Sequence, residues 1–427
     1  MQKRVLLLAT TTGYQTRSFG EAAEQIGVEL VFATDRCHMI EDPWRDQAIP
    51  IRFYDESAAV AAIVDAARTR PFDGIIVVGD RPTVIGARAA QELGLPGHPW
   101  EAAAIARNKR RTRERLKAAG LRTPWFVETT ATADPRELAG AIQYPAVVKP
   151  IALSGSRGVM RADDAGTFLE AFARLQRLLQ SPDIRAERSE EHDAVLVEGF
   201  IPGQEYALEG LLHNGVLHVL ALFDKPDPLD GPFFEETIYV TPSILPLSDQ
   251  TAFTDAVAQA ARAIGLTHGP VHAECRVNAE GVFVLEVAAR PIGGLCARAL
   301  RFTSPDDGAA STRSLEELLL RHAIGETVDT WTRESSASGV MMIPIPRRGV
   351  FRHADGLEEA RRIPGVDDIR VTAKPDQLLI PLPEGASYLG FIFARRGQPR
   401  DVVAALRTAH TRLRFAIDPE IPVLAPR

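Results

Sequence analysis

Short apolar runs alternate with amphipathic segments over the first hundred residues. The apolar runs occupy residues 5–9, 30–33 and 75–78, and turn-forming residues bound each of them. This pattern predicts buried parallel strands. The segments 21–26 and 56–68 lie between them and have helical spacing. Strands and helices that alternate with short connections predict a doubly wound α/β domain over residues 1–98.

The middle of the chain predicts an α+β core over residues 99–330. Strands are predicted at 146–149, 194–198, 205–212, 216–223, 271–277 and 282–288, and helices at 99–120, 167–179, 252–264 and 315–324. Asn214 and Gly215 join two of these strands as a two-residue hairpin. The helix 99–120 is strongly basic, and most of its charges are interpreted as a solvated face. Residues 182–193 lack periodicity and are interpreted as an exposed loop or helix end.

The pattern changes after the serine-rich segment 335–339. Short strands and Pro/Gly turns follow, and a final helix is predicted at 402–412. We interpret residues 335–427 as a small α+β domain. The predicted fold class is therefore a mixture of α/β and α+β units.

Composition and charge exclude several classes of protein. Hydrophobic residues make up 45% and charged residues 25% of the 427 residues, which is typical of a folded protein. The net charge of −7 argues against a general nucleic-acid binder. No two of Cys37, Cys275 and Cys296 have metal-motif spacing, and their odd number makes a poor disulfide framework. No apolar run is long enough to span a membrane, so we expect a cytoplasmic protein with no membrane partner.

A lysine and a small-residue loop suggest the first element of a functional site. Lys149 ends an apolar strand, and a Gly/Ser loop follows with Ser154, Gly155, Ser156 and Gly158. Such loops let backbone N–H groups approach phosphate oxygens, to which a lysine adds a point charge. A plain hairpin turn beside a chance lysine is the alternative.

Two glutamates suggest a nucleoside site. Glu198 ends an apolar strand, and Glu205 begins the next one. One carboxylate could accept from an adenine amino group and the other from ribose hydroxyls, while the backbone between them could contact the adenine edge. The alternative is two solvent-facing glutamates that flank a turn.

Glu274 and Glu286 carry the most specific signal. If the turn is 278–281, the two carboxylates lie within one or two residue pairs of each other on neighbouring strands. Adjacent carboxylates on an apolar ladder repel, and a divalent cation such as Mg²⁺ removes that cost. Arg290 follows four residues later and could stabilise developing negative charge. Two surface glutamates on a hydrated face are the alternative.

As an ordered set, these motifs resemble the ATP-grasp superfamily of carboxylate–amine ligases. The likeness is greatest to the L-amino-acid ligase (dipeptide synthetase) branch and covers almost the whole chain. It implies an ATP-grasp fold that holds ATP between two α+β lobes, with a lid subdomain over about residues 123–198. A Rossmann-like domain precedes this fold, and an amino-acid-ligase module follows it. It also implies small-molecule carboxylate and amine substrates, ATP with Mg²⁺ or alternatively Mn²⁺, and a homodimer.

The resemblance also implies residue roles. Lys109 and Lys149 match the phosphate lysines, and residues 154–158 match the lid loop. Glu198, Phe200 and Ile201 match the adenine hinge, and Glu205 matches the ribose carboxylate. Glu274 and Glu286 match the metal ligands, and Arg290 matches the arginine that holds the acyl phosphate. One departure concerns the metal. Many members have Asn two residues after the second metal glutamate, whereas this chain has Ala288.

The sequence indicates the substrate-binding residues less clearly than the nucleotide-binding residues. Lys225 could hold a carboxylate, Glu235 or Glu236 could hold an ammonium group, and the N–H groups of Gly293 and Gly294 could bind a carboxylate. Rim charges and a simple turn are the alternatives for these residues.

Three functions are consistent with the sequence. The first is ATP-dependent joining of an amino acid or similar small acid to an amine through an acyl phosphate. The second is activation of bicarbonate or formate on the same fold. The third is a non-catalytic nucleotide-binding regulator, against which the intact set of lysines, glutamates and arginine argues.

Overall fold

A parallel four-stranded sheet forms the N-terminal unit. The computed structural model describes residues 2–10, 15–35, 48–304 and 312–420, so Cys37 lies outside the described residues. The elements of the unit are β1 (Arg4–Ala9), α1 (Thr16–Ile26), β2 (Glu29–Thr34), β3 (Ala48–Pro50), α2 (Glu56–Thr69), β4 (Gly74–Val78) and α3 (Thr83–Glu92). The strand order is β3-β2-β1-β4, and every neighbouring pair is parallel. The predicted α/β pattern is confirmed, with α3 as an additional helix.

The basic segment 99–120 forms two helices, so the prediction of one helix is wrong. They are α4 (Trp100–Arg107) and α5 (Lys109–Ala118), and Asn108 between them is extended. The Asn108 side chain accepts from Arg111 N at 3.0 Å and caps α5. Its amide also donates to Glu191 at 2.7 Å. This break places Lys109 in the first turn of α5.

A second, antiparallel sheet with the order β5-β8-β6-β7 forms the lid. Its elements are β5 (Phe126–Thr130), α6 (Arg136–Ala139), β6 (Ala146–Pro150), β7 (Met160–Ala162), α7 (Ala165–Leu179), α8 (Pro182–Arg185) and β8 (Ala194–Gly199). Phe168, Phe172 and Leu175 of α7 pack into the lid core. The segment predicted as an exposed loop contains α8 and a 3₁₀ turn at Glu190–Asp193.

The remaining elements build a large central sheet, a three-stranded C-terminal sheet and a separate two-stranded sheet. They are β9 (Gln204–His213), β10 (Val216–Asp224), β11 (Ile238–Thr241), α9 (Leu247–Ile264), β12 (Gly269–Asn278), β13 (Gly281–Ala288), β14 (Phe302–Thr303), α10 (Leu315–Ala323), β15 (Thr332–Arg333), β16 (Ala337–Ile343), β17 (Gly349–Asp355), α11 (Leu357–Arg361), β18 (Val366–Val371), β19 (Leu378–Leu379), β20 (Gly390–Arg396), α12 (Pro399–His410) and β21 (Arg414–Asp418).

The central sheet has eight strands in the order β13-β12-β9-β10-β11-β16-β20-β18. It therefore runs across the predicted boundary at residue 335, because β11 pairs with β16. One apolar core joins β1 and β4 of the N-terminal sheet, α10 and the central sheet. A second core packs α4 and α9 against the central sheet. This packing joins the N-terminal sheet to the central sheet.

Among the described residues, no helix combines the length and apolar character that crossing a membrane requires.

Candidate active site

Most of the residues predicted for the site line one cavity of about 760 Å³ between the lid and the central sheet. They are Lys109, Lys149, Ser154, Gly155, Ser156, Glu198, Phe200, Ile201, Glu205, Glu236, Glu274, Glu286, Arg290, Gly293 and Gly294. Gly158, Lys225 and Glu235 are not among the lining residues. The sequence motifs, which are up to 185 residues apart along the chain, therefore meet in space.

Two lysines face the cavity from different elements. Lys109 Nζ donates to the Leu153 carbonyl at 2.6 Å and lies 3.9 Å from Glu286 Oε2. Lys149 on β6 is buried and forms an ion pair with Glu198. Burial lowers the pKa of Lys149 to about 8, although Glu198 opposes this shift. Two amines on one wall suit an anionic group such as a phosphate chain.

The loop between Lys149 and β7 has an unusual backbone. Gly155 and Ser156 have φ angles of 64° and 55°, so the chain turns left-handed at two successive residues. Gly158, which was predicted to take part in phosphate binding, is not among the residues that line the cavity. Its N–H donates to the Pro383 carbonyl at 2.8 Å, and a Cβ there would meet Leu175 at 3.0 Å. Gly158 therefore joins the loop to its surroundings.

Arg113 is a site residue that the sequence interpretation missed. It is 1% exposed, in contrast to the solvated face predicted for this helix. Its guanidinium donates to Glu198 Oε2 at 2.8 Å and Oε1 at 3.1 Å, and to the Leu285 carbonyl at 2.9 Å. One helical turn separates Arg113 from Lys109, and this i, i+4 spacing is a signal that could have identified it.

The contacts of Arg113 change the interpretation of Glu198. Both carboxylate oxygens are engaged by Arg113 and Lys149, and these two cations lower the pKa of Glu198 to about 2 against the effect of burial. The prediction that this carboxylate accepts from an adenine amino group is therefore not supported. Glu198 instead orients the two cations.

Lys225 lies at the centre of three carboxylates. Its Nζ donates to Glu205 at 2.7 Å, to Glu236 at 2.5 Å and to Glu274 at 2.8 Å. Burial acts to lower its pKa, but the three carboxylates raise it well above the usual value. Because its three donors are used, Lys225 has no donor left for a substrate carboxylate, and the predicted contact is not supported. It neutralises the acidic wall of the cavity.

Arg276 on β12 was also missed. It donates to Glu205 Oε2 at 3.1 Å and to the Ile201 carbonyl at 2.7 Å, and its guanidinium lies 5.0 Å from the Phe200 ring. Glu205 is thus held by Lys225 and Arg276 and does not present a free carboxylate to a ribose. Arg276 fixes the segment that was predicted to contact adenine.

Glu274 and Glu286 are directly opposite each other on β12 and β13, next to a β-bulge. Glu274 Oε1 accepts from Tyr239 at 3.0 Å as well as from Lys225. Burial would raise the pKa of Glu274, but Lys225 holds it well below the usual value. The opposed carboxyl groups of Glu274 and Glu286 provide the hard oxygen donors that Mg²⁺ prefers. Ala288 pairs with His272 and supplies no oxygen.

Glu235 and Glu236 differ in position. Glu236 lines the cavity, and burial together with Glu274 raises its pKa to about 8. Glu235 is partly exposed and lies away from the cavity lining, so its predicted contact with an ammonium group is not supported.

Arg290 is oriented by the N-terminal unit. Its guanidinium donates to both oxygens of Asp80 at 2.8 and 3.0 Å, just after β4. Burial would raise the pKa of Asp80, but Arg290 lowers it. Asp80 was missed, because 210 residues separate it from Arg290 and no local pattern links them.

The far end of the cavity, beyond Arg290, combines polar backbone and apolar side chains. Gly293 and Gly294 line it with Cys296, Met342 and Phe391. Nearby, the buried Glu209 accepts from the Ile292 N–H at 3.1 Å and contacts His272 Nδ1 at 3.1 Å. Burial lowers the pKa of His272, but the hydrogen bond to Glu209 raises it to about 9.

Known protein families match three parts of the chain. Residues 142–299 match an ATP-grasp domain, residues 20–97 an ATP-grasp N-terminal domain, and residues 341–418 the L-amino acid ligase C-terminal domain 2. The chain belongs to the ATP-grasp superfamily, whose members use ATP with a divalent metal. The match over residues 341–418 points to the L-amino-acid ligase branch of this superfamily.

Relatives agree with this branch. Carnosine synthase 1 of Gallus gallus is 29% identical over 69% of this chain and 33% of its own length. Alanine–anticapsin ligase of Bacillus subtilis strain 168 is 27% identical over 52% of this chain and 49% of its own. The chain thus spans about a third and a half of these two relatives. The L-amino acid ligase from Bacillus licheniformis superposes with a TM-score of 0.79 at 26% identity, covering 98% of this chain and 99% of that one.

Proposed function

We propose that this protein joins the carboxylate of an amino acid or similar small acid to an amine, with conversion of ATP to ADP and phosphate. The observation that carries the proposal is a single cavity that contains two lysines, two opposed carboxylates and an oriented arginine beside an apolar end. A carboxylate oxygen attacks the γ-phosphorus, ADP leaves, and an amine then attacks the acyl carbon of the acyl phosphate. Phosphate and one proton are released.

The lysines hold the phosphate chain in this scheme. Lys109 and Lys149 contact phosphate oxygens, and Arg113 and Glu198 keep Lys149 in place. Arg290, oriented by Asp80, faces the reacting carboxyl and stabilises negative charge on the acyl phosphate and on the tetrahedral species. The loop at residues 154–157 covers the phosphates and excludes water.

Glu274 and Glu286 are the proposed metal ligands. Their opposed carboxylates suit Mg²⁺, with Mn²⁺ as a substitute, and phosphate oxygens and water would complete the coordination. When bound, the cation neutralises charge on the transferred phosphoryl group. Ala288 removes one side-chain oxygen that many relatives of this fold have, so we assign two protein ligands.

The substrate contacts follow from the same cavity. We assign the N–H groups of Gly293 and Gly294 to a carboxylate and Glu236 to an ammonium group. The apolar side chains of Met342 and Phe391 would face the substrate side chain. This lining favours an amino acid with an uncharged side chain over bicarbonate or formate, which have none.

The first test measures ADP and phosphate release with Mg-ATP and pools of amino acids, and product masses by mass spectrometry. We expect release to depend on amino acids and a product mass equal to two substrates less water. Glu286→Gln should lower turnover at least about 100-fold, because the metal contributes several kcal/mol. Glu280→Gln, on the exposed turn of the same hairpin, is the matched control.

Other outcomes assign other functions. Stimulation by bicarbonate or formate alone would replace the ligase proposal with activation of those acids. If the protein binds ATP but turns over no pool, and if Glu286→Gln leaves ATP binding unchanged, a nucleotide-binding regulator would be favoured. A homodimer is a further proposal, which rests on the family resemblance and is measured by light scattering.

A further inference from the structure

Three histidines meet at a place distant from the cavity. His213 ends β9, His268 precedes β12 and His322 lies on α10. One ring nitrogen from each lies within 4.8 Å of the others, and we call these three residues the histidine cluster. His213 is eight residues from Glu205 along β9, which corresponds to about 26 Å of extended strand. The cluster is therefore separate from the proposed ATP site.

The spacing of the ring nitrogens suits a metal ion. His213 Nδ1 lies 3.3 Å from His322 Nε2. Two ligands at the Zn–N distance with a tetrahedral angle between them are separated by about 3.3–3.4 Å. The His268 ring lies 4.4 Å from the His322 ring and 5.1 Å from the His213 ring, between centroids. Within the described residues, no hydrogen bond uses either ring nitrogen of His268.

His322 is buried, and His213 and His268 are partly buried. The neutral imidazole is the form that binds metals. The cluster contains no carboxylate or thiol. A donor set of imidazoles alone suits late first-row cations and is poorly suited to Mg²⁺ or Ca²⁺.

A fourth histidine fixes the backbone that carries the cluster. His98 Nδ1 accepts from the N–H groups of Thr267 and His268 at 3.3 Å each. Its other nitrogen, Nε2, then donates to the Pro270 carbonyl at 3.1 Å. His98 is thereby committed to backbone contacts, and it holds His268 in place as the residues that support metal ligands commonly do.

We propose that the histidine cluster binds a late first-row divalent cation, with Zn²⁺ as the principal candidate and water as the fourth ligand. The ion would join α10 to the ends of β9 and β12. Because α10 also packs against the N-terminal sheet, where Gly74 closely approaches Ala323, the ion would brace the N-terminal unit against the central sheet. This site is independent of the ligase activity.

The test uses tag-free, chelator-treated full-length protein titrated with Co²⁺ in the presence of excess Mg²⁺, which saturates carboxylate sites. We expect one equivalent to give the intense visible absorption of tetrahedral cobalt, displaced by Zn²⁺. His322→Ala and His213→Ala should each weaken Co²⁺ binding at least about 100-fold. His353→Ala, an exposed histidine beside Asp355, is the matched control and should bind as the wild type does.

Three results would overturn the proposal: no tetrahedral spectrum, unchanged affinity in both cluster variants, or an equal loss in His353→Ala. If His322→Ala fails to fold, the His213→Ala variant alone tests the proposal. His213 is partly exposed, so its replacement should disturb the fold less. In that case Zn²⁺ should raise the melting temperature of the wild type and not that of His213→Ala. An equal rise in both proteins would assign the effect to another site.

Discussion

At the scale of single residues, two buried cations enclose one carboxylate at the phosphate end of the cavity. Arg113 and Lys149 both contact Glu198, and all three side chains are buried. The set carries one more positive than negative charge, so an anion bound beside Lys149 offsets an unfavourable burial. This charge balance is the physical reason to assign phosphate binding to this wall.

The pKa of Lys149 makes ATP binding depend on pH. With a pKa of about 8, Lys149 is mostly charged at pH 7 and mostly neutral at pH 9. Affinity for a non-hydrolysable ATP analogue should therefore fall about tenfold over that interval, measured by calorimetry. Lys149→Met should bind weakly with no such fall, and the exposed Lys117→Met should behave as the wild type. If the affinity of the wild type for the analogue does not change with pH, the assignment of Lys149 to phosphate binding would be refuted.

The same group affects stability in the opposite direction. The ordinary pKa of lysine is 10.5, so the unfolded chain binds one more proton than the folded chain between pH 8 and 10.5. The free energy of unfolding of the nucleotide-free protein should gain from this residue as pH rises through that window. Denaturant unfolding of the wild type and of Lys149→Met, compared at pH 8 and 10, measures the contribution. A gain of equal size in Lys149→Met would exclude Lys149 as its source.

Removal of Arg113 should be costly. Arg113→Leu leaves Glu198 with one cation in a buried setting, and loss of one partner of a buried ion pair costs about 3–5 kcal/mol. The exposed neighbour Arg111→Leu should cost little. Urea unfolding measures both. Equal effects of the two variants would mean that burial of Arg113 does not matter to stability.

The proximity of candidate site residues could be predicted where they are close along the chain. Lys149 and its loop, or Glu274 and Glu286 across a hairpin, could be inferred because a short turn fixes their register. Arg113 was hidden among several basic neighbours on one segment. Asp80 could not be inferred at all, because its contact with Arg290 depends on how separate sheets pack.

At the scale of elements, the lid loop is joined to the C-terminal part of the chain. Gly158 donates to the Pro383 carbonyl, and Arg157 Nε donates to the Glu384 carbonyl at 2.7 Å. Arg174 of α7 forms an ion pair with the Glu384 side chain. The segment predicted to close over phosphate is thus held at its far end, while Gly155 and Ser156 remain in the cavity wall.

Gly158→Ala should destabilise this connection. Gly158 has a φ angle of +76°, and a Cβ would lie 3.0 Å from Leu175 and 3.1 Å from Leu178. Backbone strain of this kind costs roughly 1–3 kcal/mol. Gly140→Ala, at a position with open space and a φ angle of −90°, is the control. Thermal unfolding measures both. Equal melting temperatures would show that the loop accommodates the side chain.

Element boundaries were predicted closely where periodicity is strong and poorly where a cap interrupts it. The strands from 194 to 224 and both hairpins occur as expected. The break at Asn108 was missed, because only a single polar residue separates two helical segments and its effect depends on the contact with Glu191.

At the scale of the whole molecule, the N-terminal unit contributes directly to the site. Asp80, at the end of β4, holds Arg290 with two hydrogen bonds. The eight-stranded sheet also crosses residue 335, so the C-terminal segment completes the central sheet. Sequence patterns predicted the units but could not predict this pairing, since contacts between distant strands leave no local signature.

Asp80→Asn tests this link between units. The amide keeps the size but loses the charge and one acceptor, so Arg290 should lose its fixed orientation. We expect kcat to fall about 10- to 100-fold with a smaller change in KM for ATP, because positioning affects the reaction more than nucleotide binding. Asp65→Asn, on the exposed face of α2, is the control. Steady-state kinetics measure both variants, and an unchanged kcat in Asp80→Asn would show that Asp80 does not position Arg290 for the reaction.

If an acyl phosphate forms in this cavity, an oxygen atom of the substrate carboxyl group is transferred to the released phosphate. The amino acid pool that supports turnover is labelled with ¹⁸O in its carboxyl groups, and the released phosphate is analysed by mass spectrometry. We expect one ¹⁸O atom in each phosphate, together with ADP and a condensed product. Unlabelled phosphate, or release of AMP and pyrophosphate, would contradict it.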